Sequence, residues 1–170
     1  MAVLIGPMDG ALNFITRRFL LAPGAIIPAL HGASKAEVLS EMAAFLAARQ
    51  AAPGAIDARA LYHVLEEREQ LASTAIGDGI AIPHGKLDSI DRLVGALGRS
   101  VTGLAFDSID GKPTHLVCML VAPANSAGIH LKALARLSRL FRDAAFRQRL
   151  LEAADGDSMY RTIAEEDAKY

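Results

Sequence analysis

Leu116-Val117-Cys118-Met119-Leu120-Val121 is apolar at every position, the pattern of a central strand covered on both faces. Working outward, Arg92 to Ser100 reads as a second strand. Ile80-Ala81-Ile82 reads as a third, inside a small-residue, Gly-punctuated segment from Ser73 to Gly85. Ala25 to Leu30 is a further short strand, and Pro28, which lacks an N–H for a ladder, puts it at a sheet edge. Helices surround these strands. Ser34 with Glu37 three residues on is a capping-box signature, and the helix behind it lines up Val38, Leu39, Met42, Phe45 and Leu46. Asp57 caps a second helix with Leu61, Val64 and Leu65 inward and Glu66, Glu67 and Arg68 at its outer end. The last third is helical: a Leu-rich helix carrying Leu131, Leu134, Leu137, Leu140 and Phe141, then shorter helices over 144–153 and 158–165. Asp9 offers a cap for a short helix through Leu12, Phe14 and Ile15. Helices before, between and after strands predict an α/β sandwich with its strand order open.

Composition narrows the function. At 170 residues and 52% hydrophobic content, one core is the expectation. A formal net charge of −1 carries no nucleic-acid footprint, and the denser basic stretch from Lys132 to Arg149 reads as a solvated helix face. The lone cysteine, Cys118, excludes an internal disulfide and fits a reducing compartment. Met1 to Pro7 is apolar but short, so neither a signal peptide nor a membrane span is expected, and cytoplasmic residence is the default.

The sharpest chemical feature is Ile82-Pro83-His84-Gly85-Lys86, at the end of a short apolar strand. Pro83 restricts its own backbone and that of Ile82, while Gly85 keeps bulk away from the imidazole. A histidine held at such a tip is a competent nucleophile near neutral pH; the pentapeptide alone also fits a turn histidine with no role. His130 lies in the first turn of the Leu-rich helix, where unpaired amides and the positive dipole end favour an anion, or where it simply closes the helix. Arg68 leads into the Gly-rich segment with a fork suited to phosphate or carboxylate, or to solvent. His31, His63 and His115 have no ligand-like spacing, so no metal site is expected. Cys118, among apolar neighbours, reads as a core residue. Gly77-Asp78-Gly79 precedes a strand and lacks the Lys-Ser/Thr pair of a nucleotide loop.

Taken together, Arg68-Glu69-Gln70-Leu71-Ala72-Ser73-Thr74-Ala75-Ile76-Gly77-Asp78-Gly79-Ile80-Ala81-Ile82-Pro83-His84-Gly85-Lys86-Leu87 closely resembles the active-site segment of the nitrogen-regulatory branch of the fructose/mannitol-class IIA domains of the bacterial phosphotransferase system. Leu104-Ala105-Phe106-Asp107-Ser108-Ile109-Asp110, Leu120-Val121-Ala122-Pro123 and His130-Leu131 extend the resemblance from about Phe19 to about Ile163. Asp78 stands where the family suggests Asn, and 125–129 diverges. The resemblance implies an N-terminal segment over 1–18 and a IIA-type domain over 19–170, with a mixed, about five-stranded sheet flanked by helices. It implies His84 as phosphoryl acceptor through Nε2, His130 as phosphate support, and Arg68 in contact with phosphate or partner. It implies no metal or organic cofactor.

The donor implied is a small HPr-like carrier protein. The output is control of potassium transport, nitrogen metabolism or stress signalling through protein contact. A phosphorylation-independent interaction module and a IIA subunit serving a sugar permease in trans are the alternatives. Ile76 and Ile80 are expected either in a docking patch or in the core. The two histidine rings should lie together, with His84 open to solvent.

Overall fold

The computed structural model describes Ile15 and residues 21–49 and 55–169. The helix proposed from Asp9 falls outside them except for Ile15, which is buried. The chain order is β1 (Ile26–Ile27), α1 (Lys35–Ala48), α2 (Ala58–Leu71), β2 (Ala75–Gly77), β3 (Ile80–Ala81), β4 (His84–Leu87), β5 (Val94–Leu104), β6 (Thr114–Pro123), α3 (Ala127–Phe141), α4 (Ala144–Glu152) and α5 (Gly156–Asp167).

The apolar run forms the heart of β6, with β5 antiparallel on one side and β3 and β4 parallel on the other. Side chains alternate along it as a strand requires. Leu116, Cys118, Leu120 and Ala122 join a core with α3, α4 and α5, while Val117, Met119 and Val121 join a core with α1 and α2. Both faces are covered, which is why no polar residue interrupts the run. The order across the six-stranded mixed sheet is β1-β5-β6-β3-β2, with β4 also on β6. As expected from Pro28, β1 is an edge strand, parallel to β5. The caps are also as read: Ser34 accepts the Glu37 amide, Asp57 accepts the Ala60 amide, and Glu37 reaches back to the Ala33 amide.

The expected five strands and the observed six differ by a break. β3 and β4 run end to end along β6, Ile80–Ala81 opposite Leu116–Val117 and His84–Leu87 opposite Leu120–Pro123. Between them the Ile82 amide turns away to the Thr74 carbonyl (3.0 Å), and Pro83 has no amide to give. His84 therefore does not end a strand, as the sequence suggested; it opens the next one. The turn between β2 and β3 needs positive φ at Gly77 (94°), Asp78 (55°) and Gly79 (78°). Asp78 occupies the left-handed region, which tolerates Asn and Asp among residues with a side chain.

Helix α2 crosses close over β4. A Cβ at Gly85 would lie 2.4 Å from Val64 Cγ1, and Val64 is a β-branched residue with little rotamer freedom in a helix. Gly85→Ala should therefore push α2 off the sheet and cost about 1–3 kcal/mol, the usual range for overpacking. Urea unfolding will measure it, and Val64→Ala in the same chain should restore most of the loss.

Candidate functional site

His84, His130 and Arg68 come from β4, α3 and α2. The break at Ile82-Pro83 sets the first of them. His84 Nδ1 lies 2.9 Å from the Ile82 carbonyl, and a carbonyl only accepts, so Nδ1 carries the proton and donates. The Arg68 Nε–H points at His84 Nε2 at 3.3 Å, so Nε2 presents its lone pair. The ring is thereby held neutral with a bare Nε2. Arg68 is anchored by Nη1 donating to the Ala72 carbonyl at 2.8 Å, one turn further on at the end of its own helix. The His84 ring is half-buried and so still meets solvent.

The His130 ring packs beside it, with centroids 5.3 Å apart and planes tilted by 50°. His130 is only 9% exposed, and its Nε2 has no hydrogen-bond partner among the described residues. An unpartnered buried polar atom is costly to the fold, and this one lies beside the His84 ring. Helix α3 starts without a side-chain cap: the Ser126 hydroxyl donates to the Pro123 carbonyl and leaves the first-turn amides unclaimed by it. The start of α3 thus keeps the anion-favouring character of an open helix N-terminus.

Burial holds the His84 imidazole below its ordinary value; the Ile82 carbonyl opposes this and the Arg68 charge reinforces it. Burial likewise lowers His130, helped by His84 and Lys86. Both rings bind a proton less readily folded than unfolded. Above the ordinary imidazole value of about 6.5 neither state is protonated, and the pair does not affect stability. As pH falls through that value the unfolded chain takes up protons first, and stability declines until the depressed folded values are reached. Unfolding midpoints at about pH 7.5 and pH 5.5 should show this loss, and it should shrink when His84 and His130 are both replaced by Gln.

Other expectations divide. Ile80 is in the core, because its side chain falls on the α3 face of the sheet, whereas Ile76 on the edge strand is 46% exposed. Leu131, counted with the inward leucines, is 65% exposed; Ala133 and Leu137 hold the inward face instead. Ile129, before His130, and Leu71, just beyond Arg68, are also exposed. Cys118 is buried, with its thiol pushed up to about 12. No cluster of potential metal ligands occurs among the described residues, and none of their helices is long and apolar enough to cross a membrane.

Sequence reading missed Glu69 and Thr74. Glu69 is buried against Lys35 (3.1 Å) and the Thr74 amide and hydroxyl. One signal was present: an acid in the last turn of a helix opposes the helix dipole and invites a reason.

An unprotonated imidazole nitrogen beside an arginine, a second histidine and an open helix start is an arrangement chemically able to receive an anionic, electrophilic group. Residues 19–166 match the family described as the phosphoenolpyruvate-dependent sugar phosphotransferase system, EIIA 2, and the chain belongs to that family. Within it the chain is similar to nitrogen regulatory proteins. It is 42% identical over 145 residues to a nitrogen regulatory protein of Bradyrhizobium diazoefficiens, covering 85% of this chain and 92% of that protein. It is 41% identical over 111 residues to the fructose-specific EIIABC component of Bacillus subtilis, covering 65% of this chain and 18% of that protein. The fold matches the crystal structure of nitrogen regulatory protein IIA-Ntr from Neisseria meningitidis with a TM-score of 0.76 and 28% identity, over 85% of this chain and 96% of that one.

Proposed function

We propose that the protein is a phosphohistidine carrier of a regulatory, nitrogen-type phosphotransferase system. His84 Nε2 accepts a phosphoryl group from the phosphohistidine of a small HPr-like carrier protein. The P–N bond to the donor imidazole breaks as the P–N bond to Nε2 forms. No proton has to leave His84 first, because Nε2 carries none; the Arg68 N–H that it accepts turns to the incoming phosphoryl oxygens as the P–N bond forms. The ring that results is cationic, and the Ile82 carbonyl is in place to accept its Nδ1–H. Arg68, His130 and the open start of α3 neutralise the phosphoryl oxygens in flight and at rest. Leu71, Ile76 and Ile129 supply exposed apolar surface for the docking protein.

The observation that carries this reading is the pairing of a bare, arginine-backed Nε2 with a second buried imidazole whose Nε2 lacks a partner. Regulation of partner proteins, such as potassium-transport or sensor proteins, according to phosphorylation state is the output that the nitrogen-regulatory relatives favour. The fructose-specific relative favours a second recipient, a sugar-specific B domain acting in trans. The test is incubation with enzyme I, the small carrier and labelled phosphoenolpyruvate. One acid-labile, alkali-stable phosphoryl group per chain is the expected result, and its onward transfer to a fructose-type B domain would select the second recipient. No label at all would leave a phosphorylation-independent interaction module.

A further inference from the structure

We infer that Glu69 is a positioning residue for the phosphoryl acceptor, holding the His84 ring, through Thr74 and Ile82, in the form that leaves Nε2 bare. The inference rests on the carrier reading for its effect on transfer but not for its geometry.

The connection is continuous. Glu69, 8% exposed, accepts the Thr74 amide at 3.1 and 3.2 Å and the Thr74 hydroxyl as well. The Thr74 carbonyl accepts the Ile82 amide at 3.0 Å. The Ile82 carbonyl accepts the His84 Nδ1–H at 2.9 Å. Ile82 stands in the gap between β3 and β4 and has no Cα partner on β6; the ladder resumes one residue later, where the Leu120 amide donates to the Pro83 carbonyl at 2.9 Å. The amide of Ile82 is fixed by Thr74, and its other side by the restriction that Pro83 places on the preceding residue. Release Thr74, and the residue whose carbonyl selects the histidine tautomer loses the hydrogen bond that fixes its own amide.

Lys35 is the cation that faces this carboxylate. Its ammonium lies 3.1 Å from Glu69 and 2.9 Å from Asp107, over the Phe106 ring at 4.9 Å. A buried carboxylate at a helix end would otherwise be expensive twice, through desolvation and through the dipole. Because Glu69 follows Arg68 in the same turn of α2, the turn that supplies a group to Nε2 also governs the opposite ring nitrogen.

The test reads the ring directly. In unphosphorylated protein labelled with ¹⁵N-histidine, long-range proton–nitrogen spectra distinguish the Nδ1–H from the Nε2–H form. Wild type should give Nδ1–H at His84. Glu69→Ala should move the ring towards a mixture and slow transfer to His84 by up to about tenfold, the ratio that one hydrogen bond controls. Glu69→Gln retains an oxygen able to accept both Thr74 donors but sets its amide NH2 against the Lys35 ammonium, so it should recover the ring state and the rate in part, and more than Glu69→Ala does. A folded Glu69→Ala protein with an unchanged ring overturns the inference. If Glu69→Ala does not fold, Thr74→Val decides: a partial shift supports the connection and an unchanged ring refutes it. A wild-type protein with the expected ring behaviour that never accepts phosphate sinks the carrier reading alone.

Discussion

A His84→Ala chain should take up no phosphoryl group from a charged carrier, where the wild-type chain is expected to take up one. The expected loss is complete because no other imidazole that meets solvent lies beside both an arginine and a second histidine among the described residues. His130 is next to the acceptor but buried. His31 and His63 are exposed but pair with Glu41 and Glu67 and lie outside the site. His115, at the start of β6, donates its Nδ1–H to the Ser100 carbonyl, away from the Leu120–Pro123 stretch that pairs with β4. Labelling with radioactive phosphoenolpyruvate measures the difference, and stoichiometric label on the variant would show that the acceptor had been misassigned.

His130→Ala is the second large effect, and it should separate rate from stability. The variant should still accept phosphate, about ten- to a hundredfold more slowly, the usual consequence of losing one charge-assisted hydrogen bond worth roughly 1.5–3 kcal/mol in a transition state. The unphosphorylated fold gains nothing from His130 Nε2, which has no protein partner among the described residues. A His130→Leu chain, which keeps the volume and removes the polar atom, should therefore be equally slow yet as stable as wild type or more so. Rapid-quench transfer kinetics beside denaturant unfolding test both halves. Wild-type kinetics in His130→Ala would remove this residue from the site. The combination of slow chemistry and undiminished stability is the signature of a residue retained for function.

How far the sequence could be read depended on whether each feature is local. β6 was legible because a strand buried on both faces has a continuous apolar run. Ser34 and Asp57 were legible because caps act within three residues. His84 stood out through Pro83 and Gly85, which shape the backbone on the spot. The interruption between β3 and β4 was not legible, since it depends on which residues of β6 face which residues of the incoming chain. Nor was the burial of Glu69, whose cation lies 34 positions away in sequence, at Lys35. Leu131 misled because a leucine repeat marks a stripe without fixing its rotation about the helix; the buried face of α3 runs through His130, Ala133, Leu137 and Leu140, and Leu131 points away from it.

The sheet separates two half-cores, one with α1 and α2 and the other with α3, α4 and α5, and the three site residues belong to α2, the sheet and α3. A phosphoryl group on His84, gripped by Arg68 from one side and His130 from the other, would act as a rivet through every layer of the molecule. Its arrival or departure would then reach both outer layers at once. A protein meeting either broad face could read the same single bit of information without touching the histidine that stores it.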